Sequence, residues 1–68
     1  MHEYEVIWDD WSQEGRTKFA HKERALGLAK QIASYRHADG RPQYASVSVW
    51  VLYADGCSCD RIFHIDHA

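Results

Sequence analysis

Phe19-Ala20-His21-Lys22-Glu23-Arg24-Ala25-Leu26-Gly27-Leu28-Ala29-Lys30-Gln31-Ile32-Ala33-Ser34-Tyr35-Arg36-His37 is the one segment of this chain long and periodic enough to form a helix. At 3.6 residues per turn, Ala25, Leu28, Ala29, Ile32, Ala33 and Arg36 share a stripe with Leu26 at its edge. Glu23, Gly27, Lys30, Gln31 and Ser34 take the opposite side. A helix patterned this way needs a flat apolar surface to lie on. It starts near His21 or Lys22 without a good side-chain cap, although Glu23 suits the positive end of the helix dipole. It has run out by Ala38-Asp39-Gly40, where Gly40 can turn left-handed and Pro42 bars resumption.

The flanking segments read as strands. In Glu3 to Asp9, Tyr4, Val6 and Trp8 alternate with Glu3, Glu5, Ile7 and Asp9. Asp10 to Gly15 breaks that alternation, and Arg16 to Phe19 returns as a short hairpin arm. Tyr44 to Tyr53 is the strongest strand, with Ala45, Val47, Val49, Val51 and Tyr53 on one side and Tyr44, Ser46, Ser48, Trp50 and Leu52 on the other. Asp55-Gly56 marks a tight turn. Ser58 to Asp66 then returns, with Cys59, Arg61, Phe63 and Ile65 facing one way and Asp60, Ile62, His64 and Asp66 the other. The order β-β-α-β-β predicts one α+β domain over residues 1–68. A single helix would cover one face of a four-stranded antiparallel sheet in the order 2-1-3-4.

Sixty-eight residues lie near the lower limit for independent folding and leave little core to give up to a catalytic cleft. Three Trp, four Tyr and two Phe supply large rings for a small core or an interface. Cys57 and Cys59 are too few and too close for a disulfide framework, which points to a reducing compartment. No apolar run approaches the ~20 residues of a membrane span. Met1 to Glu5 lacks the basic and apolar parts of a signal peptide, so a soluble cytoplasmic protein without a membrane partner is expected.

The net charge of −2 is unevenly spread. Residues 1–15 hold Glu3, Glu5, Asp9, Asp10 and Glu14 and no Lys or Arg, whereas residues 16–41 hold seven Lys and Arg against Glu23 and Asp39. An acidic edge and a basic helix can therefore address different partners.

Cys57, Cys59, His64 and His67 suggest a metal quartet, but Cys59 and His64 stand about 16 Å apart on an extended strand, at ~3.3 Å per residue. One zinc ion gathers its ligands within ~2.3 Å. Neither a metal nor another cofactor is expected. No base, orienting group or oxyanion site is spelled out beside either cysteine, and Asp9-Asp10 reads as a solvated pair, so no enzyme activity is expected.

One helix leaves one sheet face bare. Ile7, Trp50, Leu52 and Ile62 would share that face as a contiguous apolar patch, a surface for a second copy of the chain or another protein. Glu3, Glu5, Asp9, Asp10 and Glu14 would form an acidic edge able to oppose the Lys and Arg of a target. The alternative is a nucleic-acid binder using Lys22, Arg24 and Lys30, extended by Arg36, His37, Arg41, Lys18 and Arg16.

The run Lys18-Phe19-Ala20-His21-Lys22-Glu23-Arg24-Ala25-Leu26-Gly27-Leu28-Ala29, followed by Val47-Ser48-Val49-Trp50-Val51, resembles the layout of short orphan proteins of phages and mobile elements. In size, charge and β-α-β arrangement over residues 4–65 it is similar to some anti-CRISPR proteins. The resemblance implies a stoichiometric, non-catalytic inhibitor that occupies a surface of a host nucleoprotein complex in the host cytoplasm. It carries over no site residues.

Overall fold

Val6, Val47, Val49 and Val51, all buried, make the floor on which the helix rests. They come from β1 (Glu3–Asp9) and β3 (Ser46–Leu52), whose alternation puts every second residue on one face. The computed structural model describes residues 2–67, in which β2 (Glu14–Phe19), α1 (Lys22–Ser34) and β4 (Cys59–Asp66) complete the chain. The sheet is antiparallel throughout, in the order β2-β1-β3-β4. The expected α+β architecture is therefore the one observed. Ala25, Ala29 and Ile32 of α1 close the core over Val6, Val47 and Val49, with Tyr4, Trp8, Phe19, Phe63 and Ile65 around it. No helix among the described residues is long and apolar enough to cross a membrane.

Three departures from the sequence reading have a local reason. First, β2 begins at Glu14, so Gly15 is a strand residue rather than a turn residue. It pairs with Trp8 and lies under the indole, where a Cβ would overlap the ring. Second, α1 ends at Ser34, and Tyr35 is already extended with ψ 137. Arg36 thus leaves the helical stripe, and its Nη1 donates to the carbonyls of Ala33 (2.8 Å) and Tyr35 (3.0 Å), serving two acceptors at the negative end of the helix. Gly40, at φ 89, turns a short arm formed by Tyr35 to Gln43. Third, the β3–β4 register slips between Val49 and Trp50: Val49 faces Phe63 while Trp50 faces Arg61. Ile62 is the extra residue of a β-bulge.

The hairpin turn before β4 is fixed by Asp55. Its carboxylate accepts from the Ser58 hydroxyl (2.7 Å) and from the N–H groups of Ser58 and Cys57 (2.9 Å each). These bonds, the Ser58 hydroxyl foremost, hold its pKa at about 2, below the ordinary 3.8. A depressed acid stabilises the fold fully above its unfolded pKa and loses that contribution as pH falls through the folded value. Amide-exchange protection at Cys57 and Ser58 is accordingly expected to persist at pH 5 and to fall between pH 3.8 and about 2. Protection that is flat across that window would refute the assignment.

Candidate functional site

The sheet face turned away from α1 carries the residues that alternate with the core valines. In register across β2, β1, β3 and β4 stand Lys18, Glu5, Trp50 and Arg61. The neighbouring row is Arg16, Ile7, Ser48 and His64. Trp50 is half-buried although no helix covers it. Its Nε1 donates to Ser48 Oγ at 3.1 Å, and the Arg61 guanidinium carbon lies 5.9 Å from the ring centroid. A cation over an indole at a partly exposed site contributes about 0.5–1 kcal/mol and fixes the ring's orientation.

On the other side of Trp50 lies Glu5, whose side chain is 12 % exposed, with Arg16 Nη1 3.9 Å from its carboxylate. Arg16 also donates to Glu14 at 2.5 Å. That bond, then the charges of Glu14 and Glu5, raises the guanidinium pKa further above its ordinary value. The face is thus a mosaic: an indole, Ile7 and Leu52 set among two arginines, a lysine and the carboxylates of β1, of which Glu5 lies low.

This arrangement corrects several expectations. Ile62 does not join Ile7, Trp50 and Leu52. The bulge releases it from the alternation, and it lines a shallow depression with His2, Tyr4, Lys22, Val51 and Tyr53, 39 % exposed. Arg61 and Cys59, expected beside Phe63 and Ile65, move to the open face opposite Trp50 and Leu52. Glu3, Glu5, Asp9, Asp10 and Glu14 do not form one edge: β1 is an interior strand, and of the five only Glu14, paired with Asp9, lies on the edge strand β2. Glu3, Glu5 and Asp9 run along its open face, while Asp10 folds into the β1–β2 turn and accepts from Ser12 and Gln13.

The basic residues are dispersed as well. Lys22, Arg24 and Lys30 are exposed on α1. Successive residues step about 100° around a helix, so Arg24 stands about 120° from Lys30 and about 160° from Lys22. Arg16 and Lys18 lie on the sheet face away from the helix, and Arg41 is tied to Asp39.

Cys57 and Cys59 are exposed free thiols at the Asp55 end of the sheet, while His67 follows β4 at the opposite end. Among the described residues no three His, Cys, Asp or Glu are placed to hold a metal ion.

Arg61 and Ser48, which orient Trp50, escaped the sequence reading. The signal for Arg61 was the adjacent pair Ile62-Phe63, which a strictly alternating half-buried strand does not accommodate. Comparison with protein-family models, curated proteins and solved structures finds no match to this chain.

Proposed function

We propose that the chain is a non-enzymatic protein-binding module that works through the uncovered sheet face, with Trp50 as its anchor. The supporting observation is the held indole: Trp50 is fixed by Ser48 and Arg61 on a face that none of the chain's own elements covers. Trp and Arg are the residue types that dominate interface energetics, and a preoriented ring loses little freedom on contact. Ile7 and Leu52 extend the apolar part, and Glu5, Arg16, Lys18 and Arg61 give it a charge pattern. That mixture of signs favours a protein surface over a phosphate backbone. The layout-level resemblance to anti-CRISPR proteins supports a host nucleoprotein complex in a cytoplasm, blocked stoichiometrically, as the proposed partner. The dispersed cations of α1 give the nucleic-acid alternative less support.

Affinity capture with tagged wild-type chain, Trp50→Ala and Arg61→Ala in parallel, before and after nuclease treatment, tests the proposal. The partner retained by wild type is expected to survive nuclease and to fall about tenfold or more with Trp50→Ala, the scale of a hot-spot loss. Circular dichroism confirms that the variant folds. Equal retention by wild type and folded Trp50→Ala, or loss of all retained material to nuclease, would overturn it.

A further inference from the structure

The end of the sheet away from the Asp55 turn gathers three segments distant in sequence. Trp11 comes from the β1–β2 turn, His37, Arg41 and Pro42 from the α1–β3 connection, and His67 from just after β4. Together they line a cleft of about 370 Å3, within the size range of small-ligand sites.

Its walls are held by hydrogen bonds. In the connecting arm, Gln43 N–H donates to the Tyr35 carbonyl (3.1 Å), His37 N–H to Arg41 (2.8 Å) and Gly40 N–H to His37 (2.9 Å). Asp39 accepts from Arg41 N–H (3.0 Å) and Nε (2.7 Å). His67 N–H donates to the Ala45 carbonyl (2.7 Å), and its Nδ1 lies 3.3 Å from the Tyr44 carbonyl. Trp11 Nε1 donates to the Pro42 carbonyl at 3.4 Å, joining turn to arm.

Trp11 is the residue that asks for an explanation. Its φ is 79, the one positive value outside glycine among the described residues, and it is 52 % exposed. A bulky side chain in the left-handed region is strained, and an indole left half in solvent recovers little by burial. The turn gains from the ring one long hydrogen bond to the Pro42 carbonyl; the cleft gains a flat apolar wall. Beside that wall stand a guanidinium and two imidazoles, and among the described residues no carboxylate lines the cleft. Arg41 spends Nε on Asp39, but its side chain is 78 % exposed. The nearby acids Asp9 and Asp10 are occupied by the turn, accepting from the N–H groups of Trp11 (2.9 Å), Ser12 (3.1 Å) and Gln13 (2.9 Å).

We infer that this cleft binds a nucleoside monophosphate group, with its base on Trp11 and Pro42 and its phosphate on Arg41, His37 and His67. Stacking on an aromatic ring accepts any base, and charge-assisted donors favour the phosphate. The group can arrive as a free nucleotide or as the 5′-phosphorylated end of a single strand. The site is separate from the sheet face and does not depend on the reading given to Trp50.

The test is titration of the full chain with AMP, adenosine, inorganic phosphate and a 5′-phosphorylated single-stranded oligonucleotide, followed by the NMR signals of the indole N–H and imidazole groups. AMP is expected to shift Trp11, His37 and His67, with adenosine and phosphate each about tenfold weaker or more, since each keeps only one half of the recognition. Trp11→Gly, which relieves the backbone at φ 79 and so keeps the fold, is expected to abolish binding. Arg41→Gln should weaken it about tenfold. Cys57→Ser, at the far end of the sheet, should bind as wild type. Tighter binding of the oligonucleotide than of AMP identifies a strand end as the source, and equal binding identifies the free nucleotide. The inference is overturned if no nucleotide shifts these three residues, if phosphate alone reproduces the shifts at the same concentration, or if Trp11→Gly still binds.

Discussion

Gly15→Ala is expected to destabilise the protein by about 1–3 kcal/mol, the cost of forcing extra atoms into an occupied space. The usual expectation has the opposite sign, because alanine suits a strand interior better than glycine does. Gly15 has no positive φ that would penalise a side chain. What decides the sign is Trp8: a Cβ on Gly15 would fall within its indole, and Trp8 packs against the core cluster. The ring must move, and with it the contact that closes the β1–β2 end of the core. For 68 residues, at roughly 0.05–0.15 kcal/mol per residue, the total stability is about 3–10 kcal/mol, so the loss is a large share. The denaturant midpoint in urea measures it. In a Trp8→Leu background, where no indole lies over the glycine, the same substitution is expected to be neutral or stabilising. An equal cost in both backgrounds would show that Trp8 is not the cause.

The same residue shows where sequence reading stops. The helix, the alternation of β1 and β3, the Asp55 turn and the strand order were all legible, because each follows from local periodicity or from the need to cover the valine face. Gly15 next to a polar run looks like punctuation, and nothing local reveals that Trp8, its partner on the adjacent strand, lies over it. Arg36 continues the helical stripe on paper, but the chain leaves the helix at Tyr35 because Tyr35 to Gln43 pairs with itself. The bulge at Ile62 is a tertiary choice as well. It turns Arg61 out to Trp50 and keeps Phe63 and Ile65 on the core, where uninterrupted alternation would have aimed the guanidinium at the helix side. Of the candidate surface, Ile7, Trp50 and Leu52 could be placed from sequence. The residues that set the indole's orientation could not, since their position depends on that one extra residue.

Ala29→Leu is the second substitution expected to have a large effect, again about 1–3 kcal/mol or more. By periodicity alone it looks favourable, since leucine is a good helix former and the position faces the apolar side. The helix, however, lies on the sheet through alanines: Ala25 and Ala29 are fully buried, and beneath them Val6 and Val49 are fully buried too. Small side chains at these positions set the separation of helix and sheet, and three added carbons have no void to enter. The helix must lift, uncovering Ile32 and the valine floor together. Gly27→Ala on the exposed face of the same helix provides the contrast. Nothing lies within 4 Å of the added Cβ, so it is expected to stabilise by about 1 kcal/mol. Urea midpoints moving in opposite directions for the two variants would establish that spacing, rather than helix propensity, governs this interface. If Ala29→Leu matched or exceeded wild-type stability, the close seating of the helix would not be what holds the core, and the bare opposite face would lose its rigid support.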